Sequence, residues 1–396
     1  MEEQKIDLDK VRRDEGRRGT SSHHRPHRKR KKKKILKGIL IFLLILLLAG
    51  VGTVAYMFHS GQEKITRKGQ ASRPQLQPVH TEEVQIDTEI LDEDTIKYNG
   101  QKYKYKDDMI NLLFLGVDTS GTVNNPENTG TDTGIKAESA GQADTIILAA
   151  LDNKAKKVTL IPVNRDTLTD ISIYDTYGKF IEKKKEQIAL SYAYGDGNAK
   201  SAQLAAEAVS NLFYGLPIQG YFAVNTSAIT VINDMIGGVE LQLLDDFTSI
   251  DPSYVKGATV RLQGSFAENY LRGRMGVGDG TNVSRMQRQQ QYLAALASQT
   301  LAAVRNDITL PVSIYQTVSD YMVTDISADE VSYLATQAAG YSLDSNFIRN
   351  IAGESAAGDA YMEFHVDEKA FYELILDVFY VTVQRLAGHE KTDGVD

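Results

Sequence analysis

The chain has 396 residues, enough for one or two domains with a sizeable core, and a formal net charge of -8. It contains no cysteine, and its seven histidines all lie at or before His80 or at and after His365. A disulfide scaffold and thiolate chemistry are therefore excluded, as are a zinc site of the usual ligands and a triad with an imidazole base anywhere between those histidines.

The net charge conceals an asymmetry, because residues 1–34 hold fourteen Lys/Arg against six Asp/Glu while the remainder is acidic. The next stretch, GILIFLLILLLAGVGTVAYMF from Gly38 to Phe58, is twenty-one residues without a charge. At a rise of 1.5 Å per residue it can cross a hydrocarbon core of about 30 Å. The sequence predicts a transmembrane helix over 35–58; a cleaved signal peptide is the alternative, since small residues close the apolar run. The block HHRPHRKRKKKK sets the basic tail, 1–34, in the cytoplasm and the remaining mass outside, as a single-pass protein of the cell membrane. The same block attracts anionic lipid headgroups, which explains it better than nucleic acid does, and no nucleic-acid partner is expected.

From 59 to 85 the sequence is polar, with Pro74 and Pro78, and reads as an extracellular stalk. Alternating residues around Asn99-Gly100 predict a hairpin. The apolar runs Asn111 to Asp118, Ala143 to Leu151 and Lys156 to Val163 predict strands covered on both faces. Helical patterns follow in KEQIALSYAYG, SAQLAAEAVSNLFYG and TSAITVINDMIGG, interleaved with strand-like IQGYFAV and GVELQLL. The alternation implies an α/β layer architecture over 86–306, and GVELQLL and the initial hairpin suggest that its sheet is mixed. SFAENYLRGR predicts a short helix ending near Arg272, and Asn282 is placed as the N-cap of a helix through about Ala303. Residues 307–396 read as a mainly helical extension.

Candidate chemistry sits at strand ends, where α/β sheets build their sites. Asp118 closes the first strand, Asp144 opens the second, and Arg165 follows the third. Two carboxylates brought together repel, and a Mg²⁺ between them relieves that repulsion and presents charge to a phosphate. Each aspartate can also be read as a turn or cap residue, and Arg165 as the partner of a neighbouring acid. Between Pro74 and Val260 Arg165 is the only arginine, yet Arg272, Arg274, Arg285 and Arg288 then fall within seventeen positions. On the second helix Arg285, Arg288 and Gln289 share a face, in first turns that favour an anion. Arginine's fork suits phosphate oxygens, so the set reads as a pyrophosphate clamp, with a solvated basic face as the alternative.

The ordered segments LLFLGVD, ADTIIL, RDT, LSYAYGDG, INDMIGGVEL, YLRGR and RMQRQQ, from about Met109 to Ala303, resemble the LytR-CpsA-Psr family of the Gram-positive cell envelope. The resemblance implies an α-β-α sandwich that binds a polyprenyl-pyrophosphate-linked glycan. Its members transfer teichoic acid or capsular polysaccharide to a peptidoglycan acceptor, with Mg²⁺ or Mn²⁺ as cofactor and pyrophosphatase as a side activity. On the matching motifs, Asp118 and Asp144 would organise the metal. Arg165, Arg272, Arg274, Arg285, Arg288 and Gln289 would hold the phosphates. The chain departs from the family pattern at Gln142, where an arginine is common, and at Val163-Asn164, which separate Pro162 from Arg165. It departs again at Asn282, where an aspartate is a candidate for activating the acceptor hydroxyl; Asn282 takes that catalytic position here. A non-catalytic holder of the lipid-linked precursor is the alternative function.

Overall fold

In the computed structural model, residues 1–51, 54, 71–72, 81–84, 120–140, 176, 274–276, 279–281, 359–360 and 384–396 lie outside the described residues. Most of the predicted transmembrane span falls there, with the basic tail and most of the long Gly/Asn/Thr loop before Ala143. Among the described residues no helix is long and apolar enough to cross a membrane. The chain divides into units Met1–Ala55 and Tyr56–Asp396, and the second is described below.

This unit begins in helix, through residue 69 (α1). Two short strands, β1 (Val79–His80) and β2 (Gln85–Ile86), pair antiparallel. Then β3 (Thr88–Ile90), β4 (Thr95–Tyr98) and β5 (Gln101–Tyr105) form a ribbon that turns at Asn99-Gly100, whose φ values of 48° and 77° are what a two-residue hairpin demands. The long strands β6 (Met109–Val117), β7 (Ala143–Asp152) and β8 (Lys157–Val163) run as an antiparallel meander. A hairpin of β9 (Leu168–Tyr174) and β10 (Phe180–Gln187) follows, then α2 (Leu190–Ala193), α3 (Ala199–Leu212), β11 (Gly220–Asn225) and α4 (Thr226–Met235).

Next come the paired strands β12 (Val239–Gln242) and β13 (Thr259–Leu262), then α5 (Ser265–Arg272), α6 (Asn282–Asn306) and α7 (Leu310–Thr317). The chain continues through β14 (Met322–Thr324), α8 (Ala328–Ala338), the hairpin β15 (Gly353–Ala357) and β16 (Met362–Val366), α9 (Glu368–Phe379) and β17 (Tyr380–Thr382).

Among the described residues the central sheet has the order β14-β11-β6-β7-β8, with β11 parallel to β6 and the other pairs antiparallel. Strand alternation sends successive side chains to opposite faces. Leu113, Leu115, Ile146, Leu148 and Ile161 join a cluster with Ala202, Ala205 and Val209 of α3 and Phe371, Ile375 and Phe379 of α9. Ile110, Leu112, Ala149, Leu151 and Leu160 pack with Val331 and Tyr333 of α8 on the other face. Helices thus cover both faces of a mixed sheet. Each fully buried aliphatic side chain there contributes about 1.5–3 kcal/mol. A separate small core of Val239, Leu241, Phe247, Leu262, Phe266, Tyr270 and Tyr292 joins β12 and β13 to α5 and the first half of α6.

Several expectations need correction. KEQIALSYAYG is not one helix: β10 runs to Gln187, and only Leu190–Ala193 is helical. GVELQLL and the first hairpin do not enter the central sheet, whose mixed character comes from the meander and from β11. Helix α9 stops at Phe379 because the aromatic and β-branched YVT pairs with β5 as a strand. Residue 306 is no boundary, since β14 adds to the central sheet and α9 fills its main core.

The polar stretch from 59 is not a free stalk either. Ile65 of α1 is 2% exposed. Ser60 donates to Asp329 at 2.6 Å, Lys64 pairs with Asp329 at 2.8 Å, and Lys68 pairs with Glu330 at 3.0 Å. Its lysines, partly exposed, pair with acids at the N-terminus of α8.

Candidate functional site

The ends of β6, β7 and β8 that meet at one edge of the sheet carry the predicted groups. Antiparallel pairing matches Gly116 with Thr145 but Val117 with Ala143, so Asp144 is the extra residue of a β-bulge. Such bulges re-aim a side chain beside a site. The ladder closes with the Asp118 amide donating to the Gln142 carbonyl at 3.2 Å. β7 and β8 pair as far as Ile146 and Val163, which delivers Arg165 beside Asp144.

Arg165 donates one guanidinium nitrogen to Asp144 and another to the Gln142 side-chain oxygen at 2.7 Å, with Asp166 3.6 Å from its Nε. Arg272, at the end of α5, pairs with Glu268 at 3.0 Å, four residues back, and with Asp118 at 3.5 Å. One connected series therefore runs Arg272, Asp118, Gln142, Arg165, Asp144. Gln289 adjoins it, donating to the Leu271 carbonyl at 3.3 Å. Arg285 lies half-buried in the first turns of α6. Partial burial pushes the Asp166 carboxyl above its ordinary value, with the charge of Asp144 adding and that of Arg165 opposing.

Arg288 does not belong to this surface. It is 1% exposed, donates from Nε to the Tyr270 carbonyl at 3.0 Å, and bonds Asp245, Ser284 and the Gly273 carbonyl. The reason is helical phase: Ser284, Arg288 and Tyr292 stack four apart on the side of α6 that closes the small core. Arg274 lies outside the described residues. Asn282 opens α6, its side chain outside the described residues.

Sequence reasoning missed Asp245 as the partner of Arg288 and Glu268 as a partner of Arg272. The second was available as an i, i+4 acid–base spacing. The first joins residues 43 apart and carries no local signal.

Asp118 and Asp144 offer hard carboxylate oxygens. Two carboxylates with substrate phosphates completing the shell is a common way to hold Mg²⁺. Among the described residues no group of three or more His, Cys, Asp or Glu could hold a metal. With each carboxylate now paired to an arginine, a cation here would have to share them with a ligand rather than sit in a protein-only cage. An apolar sheet surface adjoins these strand ends: Phe114 is 40% exposed and stacks on Phe222 with centroids 5.3 Å apart.

A mixed α/β sheet with arginines and carboxylates gathered at its strand ends defines a domain suited to a polyanionic ligand. The LytR_cpsA_psr family model matches residues 75–375, and the chain belongs to that family. The match extends past Met109 and Ala303 at both ends, taking in β14 and most of α9. A polyisoprenyl-teichoic acid–peptidoglycan teichoic acid transferase TagU of Enterococcus faecalis is 27% identical over 224 residues, 57% of this chain and 64% of that protein. The TagU of Bacillus cereus is 24% identical over 269 residues, 68% of this chain and 77% of its own length. The aligned part thus spans just under two thirds of the first relative. Among solved structures, protein gbs0355 of Streptococcus agalactiae superposes with a TM-score of 0.50 at 20% identity, covering 68% of this chain and 88% of that one, which shows the shared fold.

Proposed function

We propose that this protein is a membrane-anchored phosphotransferase outside the cell. It moves a glycopolymer such as teichoic acid or capsular polysaccharide from a polyprenyl-pyrophosphate carrier to peptidoglycan during cell-wall biogenesis. The observation that carries the reading is the connected series of Arg165, Arg272, Asp118 and Asp144 at one sheet edge, in a region without His or Cys. Family membership and the names of the relatives support it, and the charge-free run after a basic block supports the anchor.

In this mechanism the acceptor hydroxyl oxygen forms a bond to the sugar-side phosphorus, and that phosphorus loses its bond to the bridging oxygen. Polyprenyl phosphate leaves, and the hydroxyl proton passes to solvent or to a base at the mouth of the site. Arg165 and Arg272 turn the donors they now give to aspartates toward phosphate oxygens, and Arg274, Arg285 and Gln289 complete the clamp. Asp118 and Asp144 would hold Mg²⁺, or Mn²⁺, which supplies charge neutralisation on the pyrophosphate. Positioning and fixed charge do the rest. The stacked Phe114 and Phe222 give the apolar tail a surface beside the phosphates. Transfer to water instead of a sugar would give the pyrophosphatase side reaction.

A second reading, a holder of the precursor without turnover, is favoured by Gln142 and Asn282. The test incubates the full chain in detergent with a polyprenyl-pyrophosphoryl sugar, peptidoglycan and Mg²⁺, and follows polyprenyl phosphate and attached glycan. Release of both is expected. Binding without transfer, unchanged in Asn282→Asp, would sink the enzyme reading in favour of the holder.

A further inference from the structure

Burying a guanidinium costs several kcal/mol unless it is paired and its other donors are satisfied. Arg288 is 1% exposed and meets that condition through four groups. Asp245 supplies the countercharge, and Ser284 links the two, donating to Asp245 at 2.6 Å while accepting from Arg288 at 3.1 Å. The remaining donors go to the carbonyls of Tyr270 and Gly273. Those carbonyls belong to the end of α5, where the helix leaves them without intrahelical partners, and they bracket Arg272 in sequence.

The backbone beside this cluster is packed closely enough to require glycine at two positions. A Cβ on Gly273 would lie 2.7 Å from the Asn269 carbonyl oxygen, and one on Gly278, at φ 58°, would lie 2.5 Å from the Asp245 carboxylate. The place where α5 stops is therefore set by Arg288 and Asp245, and the Arg272 side chain leaves from that place toward Asp118 at 3.5 Å.

We propose that Arg288, clasped by Asp245 and Ser284, is a positioning residue that fixes the end of α5 so that Arg272 faces the phosphate site. The proposal rests on the pyrophosphate reading of that site. Arg288 never touches the ligand; it acts through the turn that presents Arg272.

The test compares four forms of the full chain in detergent: wild type, Arg288→Lys, Arg272→Ala/Arg274→Ala, and the triple variant. Binding of geranylgeranyl pyrophosphate with Mg²⁺ is measured by calorimetry well below each melting temperature. Lysine keeps the charge but cannot reach both carbonyls as the fork does. Arg288→Lys should weaken binding about tenfold and the arginine pair more. In the triple variant the lysine should add less than about twofold, because the groups it positions are gone. Wild-type affinity in Arg288→Lys, or a tenfold loss that recurs in full in the triple variant, overturns the proposal; a lowered melting temperature with intact affinity marks a purely structural role and does the same. Wild-type affinity in Arg272→Ala/Arg274→Ala would instead overturn the pyrophosphate reading beneath it. If Arg288→Lys fails to fold, Ser284→Ala, which loosens the clasp but keeps the charged pair, is read by the same comparison with a smaller expected loss.

Discussion

Replacing Arg165 with alanine separates a phosphate ligand from a surface charge. Arg165 is about two-fifths exposed, at 39% for its side chain, and its partners are Asp144, Gln142 and Asp166. An ion pair so open to solvent contributes about 0–1 kcal/mol to stability, so the melting temperature should move by only a few degrees. A charge-assisted hydrogen bond to phosphate is worth about 1.5–3 kcal/mol. Subtracting the aspartate pair that must first open leaves about 0.5–3 kcal/mol, or roughly 2- to 150-fold in Kd. Calorimetric titration with a polyprenyl-pyrophosphate analogue reads this directly. Lys154, exposed in the turn at the opposite end of β7 and β8, is the matched control. If Arg165→Ala weakens binding no more than Lys154→Ala, the arginine is surface charge and the reasoning fails.

Two further outcomes concern pH and the helix at the start of the unit. Because partial burial, aided by Asp144, raises the Asp166 carboxyl, the fold favours its protonated form. The resulting penalty is present at neutral pH and vanishes as pH falls through the raised value toward the unfolded one. Asp166→Asn should melt higher than wild type at pH 7 and lose that advantage below about pH 4; a difference constant across pH would contradict this. Burial alone would raise the Asp329 carboxyl, but hydrogen bonds from Lys64, Ser327 and Ser60 hold it well below its usual range. That stabilisation is present above the unfolded value and fades as pH drops below about 4. At pH 7, Asp329→Asn should speed tryptic cleavage after Lys64, Arg67 and Lys68, and unchanged rates would show that α1 is held without Asp329, by Ile65 packing and the Lys68–Glu330 pair.

Much of the architecture was legible because its signals are local. The three apolar runs became β6, β7 and β8 within two residues of expectation, Asn99-Gly100 turned as its chemistry requires, and α5 and α6 began where their sequences said. What was not legible depends on distant partners. Polar α1 reads as a stalk until Asp329 and Glu330, more than 260 residues away, are brought to its lysines. Arg288 shares sequence spacing with Arg285 and Gln289, and only the position of Asp245 shows that it points into the protein. At the site, the sequence names Asp118, Asp144, Arg165 and Arg272, and the fold brings these charges to one end of the sheet. Which of those charges face solvent is a matter of helix phase against a core that the sequence does not draw.

The bulge at Asp144 has an evolutionary consequence. A chain lacking that one residue would restore a regular pairing between β6 and β7 and leave the alternation from Thr145 onward undisturbed. The sheet would survive, and Arg165 would keep only Asp166, 3.6 Å from its Nε, as a carboxylate neighbour. A single-residue deletion at this strand end would therefore spare the sheet while removing Asp144 from the series of charges, so the bulge lets one position vary without cost to the ladder.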